Sequence, residues 1–333
     1  MVVRFHNIWG LRFKTVSETD IKVLDQTKYK PFVVVDPLSC DVHYEFQEVN
    51  FLDLRMPPLN NDEIVLMKQF QYHSFKGKSA LTLPLKFDPL SKDEIIKRYI
   101  QESHNIFQIS LLRSRIVRER ISLCVDNPKQ TYLILNPLTI EIRDYSRHRV
   151  DIFYVKELEH VFQLNMDNKI RSLYSVFLPD FNSVMVHSSA VVHYGKTALF
   201  IAPGGGGKST VAKLSRNGEI LSDDQNILRI NQDKITVYST PWGRISNGSK
   251  HAPLGGIFLL EKASFFEIEA IKPREVIQHL LENNPNLWIF LPNDRKIRVL
   301  DIVSEICHRV PVYRLRFTKS FINWEAISNS MVD

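Results

Sequence analysis

Residues 197–214 read TALFIAPGGGGKSTVAKL, with four consecutive glycines at the centre of the stretch. The apolar run 197–201 is typical of a buried strand, and residues 209–214 are typical of the first turns of a helix. A strand, a glycine loop, a lysine, a hydroxyl residue and a helix in this order form the context of a phosphate-binding loop (P-loop). The alternative is a flexible linker, but linkers rarely join a buried strand to a helix. The stretch therefore predicts a phosphate site.

Each part of this loop has a chemical reason. Residues without a Cβ let the backbone curl so that successive N–H groups point at an anion, and the helix that follows adds the positive end of its dipole. The lysine is expected to reach the β- and γ-phosphates of ATP, and the first hydroxyl to bind Mg²⁺. The strict pattern begins with Gly, whereas this chain has Ala202. The residues predicted to bind the nucleotide are Gly204, Gly205, Gly206, Gly207, Lys208, Ser209 and Thr210.

A pair of carboxylates follows the loop. Residues 219–224, EILSDD, have the pattern of a strand that ends in Asp223 and Asp224, and Asp223 lies fifteen positions after Lys208. A helix of about three turns and a tight return at residues 217–218 would bring both acids beside the bound phosphates. One carboxylate can hold Mg²⁺ while its neighbour accepts the proton of an attacking hydroxyl. The alternative is an ordinary surface turn.

Several segments around the loop resemble a known family. They are HSSA (187–190), LSDD (221–224), TPWG (240–243), APLGGIFLLE (252–261) and PVYRL (311–315). Together with the glycine loop, their order and spacing resemble the HPr kinase/phosphorylase-like proteins, whose nucleotide core is similar to that of phosphoenolpyruvate carboxykinase. The resemblance covers roughly residues 130–330. It is greatest to the HPr-kinase-related branch, which includes kinases that modify peptide natural products.

The resemblance implies roles for the matching residues. His187 would lie near the phosphates and assist the chemistry, Asp223 would act as general base and Asp224 would bind the metal, with the reverse assignment of the two acids left open. Bifunctional members carry Glu directly after the loop serine, where this chain has Thr210, and their later arginine–glycine signature has no clear copy here. The resemblance therefore leaves phosphorylase activity open.

Three side chains near residue 243 each have two interpretations. Arg244 and Lys250 lie on a polar loop, where they either neutralise charge developing on the phosphates or are solvated. Trp242 either stacks on adenine or substrate, or lies in the core, which is the more common place for tryptophan. The predicted catalytic residues are Asp223, His187, Lys208 and Arg244.

Composition limits the class of protein. The chain has 333 residues, 44% of them hydrophobic and 24% charged, which is typical of a globular protein of one large domain or two. Its net charge of +6 suits anionic substrates such as nucleotides and does not by itself indicate nucleic-acid binding. With no charged-then-apolar leader and no apolar run of about 18 residues, we expect a cytoplasmic protein without a membrane partner. Cys40, Cys124 and Cys307 are too far apart to indicate a disulfide framework or a zinc site.

The expected fold is mixed α/β with two domains. Asp126-Asn127-Pro128 breaks the pattern and is the candidate boundary. Residues 1–125 are predicted to form an accessory α+β region, with one helix after Ser91 and an arginine-bearing helix at 105–121. Residues 126–333 are predicted to form a P-loop kinase domain of the HPr kinase and phosphoenolpyruvate carboxykinase type. Within it we expect short strands at 131–135, 139–142 and 151–155, a helix at about 156–176, and a hairpin in which a turn at 195–196 joins strands 184–194 and 197–201.

The predicted function is ATP- and Mg²⁺-dependent transfer of the γ-phosphoryl group to a hydroxyl, a serine of a peptide or protein. Two alternatives stay open: a nucleotide-binding regulatory or scaffold module without transfer, and a kinase of a small metabolite. The predicted partners are the nucleotide and the hydroxyl-bearing acceptor. A homo-oligomer is also considered, because the bifunctional relatives assemble as oligomers.

Overall fold

The computed structural model has a mixed α/β fold of sheets with few helices. The described residues are 2–8, 11–17, 26, 28–33, 40–49, 123–126, 131–136, 139–155, 167, 170–215, 218–243, 250–282, 291 and 293–332. The helices predicted after Ser91 and at 105–121 lie outside these residues.

Contacts between Cα atoms divide the chain into two compact units. Unit 1 consists of Met1–Phe5, Arg12–Val23 and Asp36–Met166, and unit 2 consists of His6–Leu11, Leu24–Val35 and Asp167–Asp333. The boundary that the sequence predicts near residue 126 falls inside unit 1. Unit 2 therefore contains two short N-terminal segments as well as the region with the glycine loop.

A seven-stranded sheet has the order β1-β2-β3-β7-β6-β5-β4. Its strands are β1 (Val2–Ile8), β2 (Leu11–Ser17), β3 (Val42–Val49), β4 (Leu123–Asp126), β5 (Thr131–Asn136), β6 (Thr139–Asp144) and β7 (Arg149–Val155). Strands β4 to β7 pair antiparallel, whereas β3 pairs parallel with both β2 and β7. Strands from both sides of residue 126 thus belong to one sheet. Strands β5, β6 and β7 lie where the sequence predicts strands.

An eight-stranded sheet lies in unit 2, in the order β10-β8-β11-β12-β13-β15-β14, with β9 between β8 and β13. Its strands are β8 (Ser183–His193), β9 (Lys196–Ile201), β10 (Glu219–Ser222), β11 (Gln225–Asn231), β12 (Lys234–Ser239), β13 (His251–Lys262), β14 (Glu267–Ala270) and β15 (Val312–Phe317). Strands β8 and β9 form the predicted hairpin, in which Tyr194 and Gly195 both have positive φ. Strands β9, β13 and β15 are parallel neighbours.

Four helices are described in unit 2: α1 (Lys208–Lys213), α2 (Pro273–Glu282), α3 (Asn293–Arg309) and α4 (Trp324–Ser330). Residues 167 and 170–176 are also helical, within the helix predicted at about 156–176. Among the described residues, no helix combines the length and apolar character needed to span a membrane.

The core of unit 2 consists of two hydrophobic clusters. Leu199 and Ile201 belong to the cluster that includes residues of α2 and α3, whereas Ala198 and Phe200 belong to the cluster that includes residues of α1 and α4. Because successive side chains of a strand point to opposite faces, the two clusters lie on opposite faces of the sheet at β9. Strand β9 is therefore buried on both sides, as the apolar run 197–201 predicts.

Candidate active site

The glycine loop joins the end of β9 to the start of α1. The Gly206 N–H donates to Pro203 O at 2.9 Å, which closes a turn, and the Val211 N–H donates to Gly207 O at 2.9 Å as the first hydrogen bond of the helix. The strand, loop and helix follow one another as the sequence predicts. Helix α1 has 6 residues, fewer than the three turns expected.

Two glycines of the loop adopt the left-handed region. Gly205 has a φ of 76° and Gly207 a φ of 108°, which side chains with a Cβ rarely adopt. A Cβ on Gly207 would also lie 2.4 Å from Cζ of Phe317, so the ring of Phe317 packs directly against the loop. The loop conformation thus depends on glycine at these positions.

Lys208 is buried at the base of the loop. Its Nζ donates hydrogen bonds to the carbonyl oxygens of Ala202, at 2.7 Å, and Pro203, at 3.2 Å. Burial lowers the pKa of Lys208, and the negative charge of Asp224 partly opposes that shift. The ammonium group therefore lies under the first residues of the loop, within electrostatic reach of Asp224.

The two acids interrupt the strand pairing along one side of β8. Strands β10 and β11 both pair antiparallel with β8, and Asp223 and Asp224 lie in the break between them. The buried amide of Asn226 fixes this break, because its Nδ2 donates to the backbone oxygen of Ser188 at 2.8 Å and to its hydroxyl at 3.0 Å. The break in strand pairing at Asp223 and Asp224 is thus stabilised by hydrogen bonds from Asn226.

Ser188 on β8 connects the acids with the glycine loop. Its N–H donates to Asp224 O at 3.0 Å on one side. On the other side Ser188 is the register partner of Ile201, the last residue of β9. The acids and the start of the loop therefore lie at the same level, separated by the width of one strand, or about 10 Å between the flanking backbones.

Asp224 lies near three basic side chains, His187, Arg171 and Lys208. The His187 Nε2 is 2.9 Å from Oδ1 of Asp224, whose side chain is 39% exposed. Burial pushes the pKa of Asp224 upward, but the hydrogen bond and charge of His187 and the charges of Arg171 and Lys208 outweigh it, so the pKa lies below its ordinary value. Asp224 is therefore held in its ionised form.

Asp223 lies in a different environment from its neighbour. It is only 3% exposed, whereas the Asp224 side chain reaches solvent. The sequence predicts that both acids face the phosphates. The structure brings Asp224 together with His187 and Lys208, and the orientation of Asp223 toward the phosphates stays a prediction.

Sequence reasoning missed Arg171, whose charge reaches Asp224 from the helical segment 170–176. Nothing in its local sequence marks it, because its relation to Asp224 depends on tertiary packing.

The side chains near residue 243 divide between core and surface. Trp242 is buried, and its Nε1 donates to the Tyr29 hydroxyl at 3.0 Å, so the core interpretation of Trp242 is confirmed. Lys250 forms a partly exposed ion pair with Glu219. Arg244 lies outside the described residues, and its predicted role stays a prediction.

The donor groups fit Mg²⁺ bound together with phosphates. Among the residues that the structure describes, no group of three or more His, Cys, Asp or Glu could hold a metal ion alone. Magnesium does not require one, because it keeps several waters and is bound by one or two carboxylates and by substrate phosphates. Ser209 in the first turn of α1 and the ionised Asp224 are suitable protein donors.

Comparison with known proteins adds no assignment: no family model matches the chain, and a search of the curated proteins finds no significant match. The resemblance to HPr kinase-like proteins thus rests on the quoted motifs and stays a prediction.

Proposed function

We propose that unit 2 is an ATP- and Mg²⁺-dependent phosphotransferase with the nucleotide core of an HPr kinase-like protein. It would transfer the γ-phosphoryl group of ATP to a hydroxyl, a serine of a peptide or protein. One observation carries the proposal: Ser188 pairs with the end of β9 on one side and bonds to Asp224 on the other. A polyphosphate on the loop would then have its far end beside the acids.

The loop and Lys208 would bind the phosphates. Backbone N–H groups at a glycine turn attract anions, and a buried ammonium gains stability when an anion approaches it. The lowered pKa of Lys208 shows that burial disfavours its charged form. A bound phosphate would offset that cost, so phosphate binding and the position of Lys208 support each other.

The acids would act at the far end of the triphosphate. His187 orients the carboxylate of Asp224 through their 2.9 Å contact, and the ionised Asp224 suits the position beside the metal. When bound, Mg²⁺ would neutralise charge on the phosphates and hold them in line for transfer.

In the proposed step the acceptor oxygen forms a bond to the γ-phosphorus and the bond to the β–γ bridging oxygen breaks. The products are ADP and the phosphorylated acceptor. The hydroxyl proton passes to one of the two carboxylates. The resemblance assigns this role to Asp223, and the reverse assignment gives it to the more exposed Asp224. Arg171 adds positive charge on the same side and would stabilise the charge of the transferred group.

The test is transfer of label from γ-labelled ATP to candidate peptide, protein and small hydroxyl acceptors. We expect Lys208→Ala to reduce transfer by at least about a hundredfold, because a preorganised charge at the phosphates is lost. Lys213→Ala is the matched control, since Lys213 is exposed at the end of the same helix, and it should retain the wild-type rate.

Two results would contradict the proposal. Equal rates of transfer by Lys208→Ala and the wild type would show that the glycine loop does not contribute to the reaction. Binding of ATP by the wild type with no transfer to any acceptor would instead indicate a nucleotide-binding regulatory module.

A further inference from the structure

Exposed aromatic side chains are unevenly distributed over unit 2. Among the described residues of the chain, the exposed aromatics are Tyr194 (84%), Phe321 (54%) and Phe265 (53%). Two of these three, Phe265 and Phe321, follow strands β13 and β15 directly, in the turns that end those strands. Neighbouring exposed rings on a protein surface commonly mark a binding site.

The sheet topology brings these turns to the glycine loop. Strands β9, β13 and β15 are adjacent and parallel, so their carboxyl ends meet at one edge of the sheet. The glycine loop follows β9, Phe265 follows β13 and Phe321 follows β15. In open α/β sheets this edge is where ligands bind.

Contacts hold the aromatic turns against the loop. The Ala263 N–H donates to Phe317 O at 3.0 Å, which ties the two turns together, and the ring of Phe317 lies against Gly207. The rings of Phe266 and Phe321 meet edge to face, with centroids 6.0 Å apart. Phe266 also packs on the hydrophobic cluster that contains residues of the loop and α1. The same hydrophobic cluster therefore packs beneath the exposed rings and beneath the glycine loop.

Thr318 fixes the second turn. Its hydroxyl accepts a hydrogen bond from the Phe321 N–H at 3.0 Å. The exposed Phe321 ring is thus carried by an ordered turn. A preorganised ring is what a flat ligand needs, because little conformational entropy is lost when the ligand binds.

The aromatic turns and the acids lie on opposite sides of the loop. Strand β8, which carries His187, borders β9 on one side, and β13 and β15 border it on the other. A nucleotide also has two different ends, a flat base at one end and the γ-phosphate at the other. With phosphates on the loop and the γ-phosphate toward Asp224, the base would extend toward β13 and β15.

We propose that Phe265, Phe266 and Phe321, here called the aromatic subsite, bind the purine base of the nucleotide by stacking and edge contacts. The assignment rests on the proposed function, because the loop must hold the phosphates of the same molecule. Stacking on aromatic side chains tolerates every base. The aromatic subsite should therefore distinguish a nucleoside triphosphate from inorganic tripolyphosphate, but distinguish ATP from GTP only weakly.

The test is calorimetric binding of Mg·ATP and of magnesium tripolyphosphate to the full chain. We expect Phe321→Ala and Phe265→Ala each to weaken ATP binding by about tenfold while tripolyphosphate binding stays unchanged, because only ATP carries a base. Phe321→Leu, which keeps an apolar side chain but loses the ring, should weaken ATP binding in the same way. Tyr194→Ala is the matched control: Tyr194 is exposed at the other end of β9, about 20 Å from the loop, and should leave both affinities unchanged.

The outcomes separate this assignment from the proposed function. If the wild type binds neither ligand, both are overturned. If Lys208→Ala weakens both ligands but the phenylalanine variants bind ATP like the wild type, only the aromatic subsite is overturned. Equal weakening of both ligands by Phe321→Ala and Phe321→Leu would also overturn it, because the rings would then merely support the loop.

Discussion

Two features of the structure favour glycine at position 207. Its φ of 108° is unfavourable for a residue with a Cβ, and the space on that side of its Cα is filled by the ring of Phe317. Gly204, in the same loop, differs in both respects: its φ lies outside the left-handed region, and a Cβ there would meet nothing within 4 Å. The sequence shows four equivalent glycines, but the structure distinguishes them.

We expect Gly207→Ala to lower the free energy of unfolding by about 2 kcal/mol or more, since the left-handed conformation costs about 1–2 kcal/mol and overpacking adds to it. Gly204→Ala is the control and should change it by less than about 0.5 kcal/mol. Urea unfolding of both variants measures the difference. Equal stability of the two variants would mean that Gly207 is not confined by Phe317.

At the residue scale, the sequence indicates the candidate site residues. It does not indicate how deeply each is buried or which distant residues contact it. The order of glycines, Lys208 and acids marks a phosphate site because those residue types have few other uses in that order. The burial of Asp223 and the charge of Arg171 near Asp224 depend on packing between distant segments. Local sequence contains no information about such contacts.

At the scale of elements, no motif in the sequence of residues 28–33 indicates a role, yet these residues belong to the same unit as the candidate site. The buried Tyr29 hydroxyl donates to Asp167 at 2.5 Å and accepts from Trp242 at 3.0 Å. Burial raises the pKa of Tyr29, and the charge and hydrogen bond of Asp167 raise it further. Tyr29 therefore remains a proton donor and fixes the position of Trp242.

We expect Tyr29→Phe to cost about 1–3 kcal/mol of stability, because it leaves the buried indole N–H without its acceptor and Asp167 without that donor. The shape of the ring is kept, so its edge-to-face packing against Trp242 should not change. Thermal unfolding measures the loss. Tyr194→Phe, at an exposed turn, is the control, and an equal effect of the two substitutions would refute a structural role for the Tyr29 hydroxyl.

Element prediction succeeded where periodicity and turn chemistry agree. The hairpin of β8 and β9 and strands β5 to β7 lie where predicted, since apolar runs are separated there by strong turn residues. Helix α1 is shorter than predicted. A helix end is set by the packing of its last turn, and the sequence after Lys213 has no early stop signal apart from the Asn-Gly pair at 217–218.

Over the whole molecule, the sequence indicates the mixed α/β class but not the pairing of strands. Strands from the first 49 residues and from residues 123–155 join one sheet, across the Asp126-Asn127-Pro128 break that the sequence indicates as a boundary. Likewise, His6–Leu11 and Leu24–Val35 belong to unit 2. Register and partner choice depend on hydrogen bonds between strands far apart in the chain, and these leave no local mark.

The central claim concerns the whole of unit 2, that the glycine loop and Asp224 act on one polyphosphate. The most direct measurement is a crystal structure of the chain with Mg²⁺ and a non-hydrolysable ATP analogue. We expect the β- and γ-phosphates within about 3 Å of Lys208 Nζ and of loop N–H groups, with the terminal phosphate on the side of Asp224 and His187. A triphosphate bound away from the loop, or bound on the loop with its terminal phosphate directed away from Asp224, would contradict the claim.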